Sequence, residues 1–156
     1  YEYPDGVSNQ IERWVSEGLL DGDSVPDAVD REQAKTFNDY IDVDSIPPSE
    51  VEDFALGWLD INCAHCHREE GTASNTAFKS STEGAFQGYC EVPVSGAGTG
   101  ALVVLPGNAE SSLIYQRLNT TEDGFSMPPI GRSVIHKEGT ALISRWINSL
   151  TSPTCN

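Results

Sequence analysis

Apolar residues recur at helical spacing in three stretches beyond residue 45, and each stretch predicts a helix with one buried face. The apolar positions are Val51, Phe54, Ala55, Trp58 and Leu59 in the first stretch, Leu113, Ile114 and Leu118 in the second, and Leu142, Ile143, Trp146, Ile147 and Leu150 in the third. Ser49 and Asn108 are expected to cap the first two helices, and Pro153 is expected to stop the third. We expect Trp58 and Trp146 to pack in the core where the first and third helices cross.

The rest of the chain shows little periodicity. Residues 70–105 are rich in Gly, Ser and Thr and contain one apolar strand candidate at 101–105, which allows at most a short β-hairpin. Residues 1–45 are acidic and contain one helix candidate, marked by Ile11, Trp14, Val15 and Leu19. The pattern predicts an all-α domain over residues 46–156 with long irregular loops, preceded by an acidic N-terminal extension over residues 1–45. No apolar run approaches the ~20 residues of a membrane-spanning helix.

The first predicted helix leads directly into the pentapeptide Cys-Ala-His-Cys-His at residues 63–67. Two thiols at this spacing can form thioether bonds to the vinyl groups of a haem, and a histidine directly after the second thiol can bind the iron. Cys63, Cys66 and His67 are therefore predicted to hold one covalent haem c, with His67 as an axial ligand. A structural zinc site would need further ligands at short spacing, and a redox dithiol would need a βαβ setting, so both stay open as weaker alternatives.

Met127, the one methionine of the chain, is the predicted second axial ligand. Two prolines follow it, and consecutive prolines exclude a helix interior or a central strand, which implies a stiff extended loop. A soft thioether suits haem iron better than it suits a hard cation. His136 is the fallback ligand because it is close to Met127 in sequence, and His65, between the two thiols, is less favoured.

Cys90 and Cys155 remain once the haem has taken two thiols. In an oxidising compartment an even remainder favours a disulfide, which would tie the C-terminal tail to the middle of the chain. Haem c is attached outside the cytoplasm, so we expect a periplasmic or extracellular bacterial protein. Its leader is expected to have been removed.

The charge of the chain restricts its partners. The formal net charge is −15, from 24 acidic and 9 basic side chains. This excess argues against nucleic acid or an anionic membrane as the partner. It suits a basic redox partner, and it equally suits simple solubility.

A helix that ends in the haem motif, a Met-Pro-Pro loop and a final amphipathic helix resemble the class I cytochrome c fold, a three-helix core around one haem. More narrowly, the chain resembles the C-terminal haem domain of a family of bacterial dihaem c-type cytochromes. The stretches that carry this resemblance are residues 8–11, 60–67, 89–93, 106–112, 127–132 and 136–139. That family has another haem motif upstream, and this chain has none, so we expect either a monohaem relative or a fragment.

The resemblance to class I cytochromes implies a role for Pro106. Its carbonyl is expected to accept the Nδ1 proton of His67, which would orient the ring and make it a stronger ligand. Arg117, in the second predicted helix, and Arg132, just past the methionine loop, are the cations expected to meet the haem propionates.

Together these features predict an electron carrier and not an enzyme, because histidine and methionine ligands would leave the iron no open position for a substrate. One electron would pass between Fe(III) and Fe(II) through an exposed haem edge, to and from redox proteins. The alternatives are a haem domain or subunit of a larger redox assembly or enzyme, such as a dihaem cytochrome or a peroxidase-like protein, and a subunit of a cytochrome filament.

Overall fold

The computed structural model describes residues 2–22, 42–80, 86–94, 101–151 and 155. The chain divides into two compact units, Tyr1–Gln33 and Ala34–Asn156. Residues 23–41, on both sides of the boundary between the units, lie outside the described residues and include Asp23, Asp27 and Asp30. The predicted division into an extension and a haem domain at residue 45 stays a prediction.

The described part of the first unit, residues 2–22, contains a short hairpin and one helix. Strands β1 (Glu2–Tyr3) and β2 (Gly6–Val7) pair antiparallel, and helix α1 spans Gln10–Ser16. The side chain of Asn9 caps α1 by accepting hydrogen bonds from the N–H groups two and three residues later, at 2.9 and 3.3 Å. The helix predicted in this stretch is confirmed.

The second unit is built on α2 (Val51–Cys63), α3 (Leu113–Leu118) and α4 (Lys137–Ser149), with a 3-10 helix at Val43–Ser45. Helix α4 packs against each of the other three. Their buried side chains match the predicted apolar faces and include Phe54, Ala55, Leu59, Ile114, Leu118, Leu142, Ile143, Trp146 and Ile147. The secondary structure of the described residues is therefore mostly helical, as a cytochrome-like all-α fold requires. None of the described helices is long and apolar enough to cross a membrane.

Helices α2 and α4 approach closely where Gly139 faces Trp58. A Cβ atom on Gly139 would lie 2.5 Å from ring atoms of Trp58, so a larger residue would push the two helices apart. His136, the N-cap residue of α4, stacks on the Trp58 ring with 5.9 Å between ring centroids. Trp146 is fully buried and Trp58 packs partly buried against the same core, as predicted.

Two predicted helix caps are wrong. Helix α2 begins at Val51 without a side-chain cap, so Ser49 does not cap it. Helix α3 begins at Leu113, later than predicted. Asn108 instead accepts a hydrogen bond of 3.0 Å from the N–H of Ser111, which makes it the cap of a separate turn before the helix.

The predicted strand at 101–105 is not a regular strand. Leu102 and Val104 form single parallel bridges, with Ser112 and Tyr89 respectively. The hairpin of the described residues lies at the start of the chain instead, in β1 and β2. Outside the described residues lie 81–85, 95–100 and Pro153, the predicted stop of α4.

Candidate haem site

The end of helix α2 and the turn after it bring the two thiols and His67 together. Cys63 is the last residue of α2. The backbone continues as a helical turn, because the N–H groups of Cys66 and His67 donate to the carbonyl of Cys63 at 3.1 and 2.9 Å. Both cysteines are free thiols. All three side chains line the same cavity.

The chain after the motif folds back over this turn. The carbonyls of Cys66 and His67 accept hydrogen bonds from the N–H groups of Ala73, at 3.0 Å, and Ser80, at 2.9 Å. Gly71 permits the reversal, because a Cβ atom there would lie 2.1 Å from the carbonyl oxygen of Cys66. The backbone that carries His67 is therefore hydrogen-bonded to the segment that follows it.

The hydroxyl of Thr76 fixes the tautomer of His67. Nδ1 of His67 lies 2.9 Å from Oγ1 of Thr76. The hydroxyl proton is directed to the carbonyl of Ala73, at 2.8 Å, or of Phe78, at 3.0 Å. Its oxygen is left to accept the Nδ1 proton of the imidazole. The ring therefore keeps the lone pair on Nε2, which is the arrangement that a metal ligand needs.

This contact overturns the role predicted for Pro106. The partner of Nδ1 is a side-chain hydroxyl nine residues after His67, not a proline carbonyl. Pro106 is also absent from the lining of the cavity.

Packing and burial act on the same imidazole. The ring of Phe78 meets His67 edge to face, with 4.7 Å between centroids and 61° between planes. Burial lowers the pKa of His67, and the backbone carbonyl of Phe78 partly opposes that shift. The ring is therefore neutral at neutral pH, the form that binds a metal ion.

Met127 lies in an irregular loop of residues 126–132, called the Met127 loop below. The loop belongs to neither helix nor strand, as its prolines predict, and the Met127–Pro128 peptide bond is cis. The N–H of Met127 donates to the carbonyl of Arg117, in α3, at 3.0 Å. Helix α3 therefore holds the backbone of the loop at Met127.

Arg132, the last residue of the Met127 loop, bonds to backbone carbonyls. Its Nη1 donates to the carbonyl of Met127 and, at 3.4 Å, to that of Arg117. Its Nη2 donates to the carbonyl of Leu118, and its Nε donates to that of Val134 at 3.2 Å. Arg132 does not line the cavity. Its predicted contact with the propionates is therefore not what the structure supports, because the guanidinium is engaged with the loop itself and with α3.

One cavity joins the motif to the methionine. Cys63, Cys66, His67 and Met127 all line it. The empty space of the cavity, including solvent at its open mouth, measures about 940 Å³. Its wall is otherwise mostly apolar and includes Phe78, Val94, Val103, Leu113, Ile114 and Leu118. His67 and Met127, about 60 positions apart in sequence, therefore line the same largely apolar cavity.

The other predicted site residues differ in whether they line the cavity. Arg117 lines the cavity, and burial lowers the pKa of its guanidinium. Arg117 therefore stays the candidate to meet a propionate. His65 also lines the cavity, with an exposed side chain. His136 is not among the residues that line it and stacks on Trp58, so its place as the fallback ligand stays a prediction without structural support.

A structural zinc site needs further ligands beside the two thiols. Burial, with a smaller contribution from Cys66, raises the pKa of the Cys63 thiol to about 12. Across the described ranges, no group of three or more His, Cys, Asp or Glu side chains could hold a metal ion. The zinc alternative therefore finds no support here.

A haem c, by contrast, fits the residues present. The two free thiols have the spacing for two thioether bonds, and His67 is neutral with Nε2 free of its proton. Met127 offers a soft sulfur in the same cavity. The apolar wall suits the macrocycle, and Arg117 offers a positive charge for a carboxylate at its edge.

Cys90 and Cys155 form the predicted disulfide. Cys90 lies in the segment 86–94, and its N–H donates to the carbonyl of Val104 at 2.9 Å. The end of that segment contributes Val94 to the cavity wall. The disulfide therefore ties the C-terminal tail to a segment that lines the candidate site.

Comparison with known proteins agrees with this chemistry. Residues 63–131 match the family model described as Planctomycete cytochrome C. This region is c-type cytochrome-like. The match begins at Cys63, includes Met127 and covers less than half of the chain. It implies a covalently bound haem c and an electron-transfer haem protein. No curated protein and no solved structure gave a match, and the narrower resemblance to dihaem cytochromes stays a prediction.

Sequence reasoning missed Gly71, Thr76 and Phe78. All three lie in the stretch that was expected to be an irregular loop, and none stands in a recognisable motif. Their one sequence signal is nearness to His67, which places them where a short return of the chain can reach the imidazole.

Proposed function

We propose that the protein is an electron-transfer c-type cytochrome that carries one covalently bound haem c, with His67 and Met127 as axial ligands. The observation that carries this proposal is that Cys63, Cys66, His67 and Met127 line one largely apolar cavity. The match of residues 63–131 to a cytochrome family supports it.

Each residue of the set has its own task. Thioether bonds from Cys63 and Cys66 hold the cofactor without a dissociation equilibrium. His67 would bind through Nε2, because Nδ1 keeps its proton and donates a hydrogen bond to the hydroxyl of Thr76. Met127 supplies a sulfur on a loop whose backbone is bonded to α3.

When bound, haem c supplies a one-electron couple between Fe(III) and Fe(II). If both bind the iron, His67 and Met127 would leave it no open position for a substrate, which is why we propose a carrier and not an enzyme. The soft sulfur of Met127 favours the reduced state, so the potential is higher than with two histidine ligands. The apolar wall makes the surroundings of the cofactor less polar and adds to this preference.

We place the protein outside the cytoplasm, in the periplasm or the extracellular space of a bacterium. Attachment of haem c and the Cys90–Cys155 disulfide both suit an oxidising compartment. The net charge of −15 favours a basic redox partner, whose association would slow as ionic strength rises.

A haem domain of a larger redox assembly is the second candidate. The unit Tyr1–Gln33 lies wholly outside the matched residues 63–131. We propose that it serves a partner or a further domain. The haem site itself works in the same way in either case.

The test is a pyridine haemochrome assay on the protein produced with a haem c attachment system. We expect a c-type spectrum, one haem per chain, and a haem that acidified organic solvent does not extract. The double variant Cys63→Ala/Cys66→Ala is the control and should yield extractable haem or none. A wild-type protein without haem, or with extractable haem, would contradict the proposal.

A further inference from the structure

We propose that Arg132 is a positioning residue that holds Met127 at the haem by joining the Met127 loop to the end of helix α3. This inference rests on the proposed His67 and Met127 ligation and assigns a residue that the ligation depends on. Arg132 touches neither the cavity nor the cofactor space, so it acts through Met127.

Three of the four hydrogen bonds of the Arg132 guanidinium converge on two places, and the fourth goes from Nε to the carbonyl of Val134. Nη1 donates to the carbonyl of Met127, the ligand residue itself. Nη1 and Nη2 also donate to the carbonyls of Arg117 and Leu118, at the end of α3. One rigid, planar group therefore bridges the loop and the helix.

The end of α3 is a suitable fixed point. Leu118 is 4 % exposed and lies in the same buried core as Trp146. The last carbonyls of a helix lack partners within the helix, so they are available to accept from a side chain. A positive charge is also favourable at a helix C-terminus. The core thus fixes α3, and Arg132 transmits that position to Met127.

The Met127 loop needs such support. Pro128 and Pro129 have no N–H to donate, so the backbone after Met127 cannot form a ladder of hydrogen bonds. Ile130 is 81 % exposed, which shows that this part of the loop is not held by burial. The hydrogen bond from the N–H of Met127 to the carbonyl of Arg117 fixes one end of the ligand residue, and the hydrogen bond from Arg132 fixes its carbonyl at the other end.

Arginine is the side chain that this task requires. Its five donors lie in one plane with fixed directions, whereas lysine offers a single point charge on a flexible stem. A lysine could reach one of the three carbonyls and would leave the others without their partner.

Arg145 provides a matched control within the same unit. It lies on α4 and also donates to two backbone carbonyls, those of Val43 and, at 2.8 Å, Ile46. Neither Arg145 nor its partners line the cavity. Loss of either arginine should lower stability, but only loss of Arg132 should loosen Met127.

The experiment compares oxidised holoprotein of wild type, R132Q, R132K and R145Q. Three quantities are measured for each: the weak far-red sulfur-to-iron absorption, the affinity for added imidazole, and the melting temperature from helical circular dichroism. Imidazole competes with Met127 for the iron, so its affinity reports how firmly the methionine is held. R132K serves as the test variant should R132Q not fold.

We expect R132Q to lose far-red intensity and to bind imidazole about tenfold more tightly, the factor that corresponds to a hydrogen bond to a charged group. R132K should lie between R132Q and wild type. R145Q should melt earlier than wild type with an unchanged imidazole affinity. An R132Q protein with wild-type absorption and affinity would overturn the inference, as would an R145Q protein with an equal gain in affinity. A wild-type haem protein without the far-red band would instead contradict the methionine ligation itself.

Discussion

The two segments that carry the proposed ligands are built in different ways. His67 lies on a continuous stretch of chain that starts in α2, and its partners Thr76, Phe78 and Ser80 follow closely in sequence. Met127 lies in an irregular loop whose hydrogen bonds reach back to α3 and forward to a single arginine. Residues 63–80, called the His67 segment below, are thus supported largely by their own backbone, whereas the Met127 loop is supported largely by a side chain.

This difference separates two properties of the site. Attachment of the cofactor depends on the His67 segment, which contains both thiols and the histidine. The reduction potential and the closure of the second axial position depend on the Met127 loop. Changes to the loop should therefore alter the potential and leave haem attachment intact, whereas changes to the His67 segment should affect folding around the motif.

Removal of the Met127 sulfur tests this separation with the largest expected effect. Met127→Ala should keep its covalent haem, and its potential should fall by on the order of 0.2 V, a fraction of the roughly 0.8 V that axial ligands span. The reason is the loss of a soft ligand that favours the reduced state. Protein-film voltammetry measures the potential. His136→Ala is the control and should stay at the wild-type value, since His136 stacks on Trp58. A fall in the control instead would assign the ligand to His136.

The thiol of Cys63 gives the His67 segment a pH dependence before haem is attached. In the folded protein its pKa is raised from 9.0 to about 12. A raised folded pKa contributes stability that is complete below about pH 9 and is lost as pH rises towards 12. The loss is at most about 4 kcal/mol for three pKa units.

Urea denaturation of the haem-free protein at pH 8 and pH 11 measures this loss. The holoprotein is the control, because its thioether has no proton to lose. Burial also raises the pKa of Tyr89 to about 12, and that group acts equally in both forms. An equal loss in the haem-free protein and the holoprotein would rule out Cys63 as the source.

Gly71 tests the backbone support of the His67 segment. Gly71→Ala should lower the free energy of unfolding by about 3 kcal/mol, because the new Cβ atom would overlap the Cys66 carbonyl and force the chain apart. Gly124→Ala, just before the Met127 loop, has open space around it but a φ of +77°, so it should cost only about 1 kcal/mol. Chemical denaturation gives both values. Equal losses would show that the fold of residues 71–80 over the motif adds nothing to stability.

Substitution of Thr76 tests the smallest expected effect, that of the hydrogen bond between His67 Nδ1 and the Thr76 hydroxyl on the reduction potential. Thr76→Val removes the acceptor of the His67 Nδ1 proton, which makes the imidazole a weaker donor and destabilises Fe(III). The potential should rise by up to about 40 mV, the one-electron equivalent of a hydrogen bond of about 1 kcal/mol. Thr76→Ser keeps the hydroxyl and should stay near wild type. A fall in potential in Thr76→Val would contradict the direction of this bond.

Features that leave a mark in the sequence could be predicted, and contacts that leave none could not. The motif at residues 63–67 and the buried face of α4 follow from local patterns, and the disulfide follows from the even count of cysteines; each has its counterpart in the structure. The proton acceptor for His67 was predicted by analogy to be Pro106. It is Thr76, because the chain reverses at Gly71 and returns to the imidazole much earlier than Pro106.

Arg132 shows the same limit at the Met127 loop. Its charge and its position near the methionine suggested a partner for propionates. An arginine can equally bond to carbonyls, and which of the two it meets depends on where the end of α3 lies. The position of the end of α3 relative to Arg132 cannot be read from a local sequence pattern. Asn108 is a smaller case, because it caps a turn in place of the helix that its sequence suggested.

The most direct test of the central claim is the far-red absorption of the oxidised holoprotein, recorded for wild type and Met127→Ala. A weak sulfur-to-iron band in the wild type that disappears in Met127→Ala is the expected result, because both thioether and imidazole line one cavity with the two attachment thiols. A c-type haem whose wild-type spectrum lacks the band, or keeps it without Met127, would contradict the ligation on which the proposed electron carrier depends.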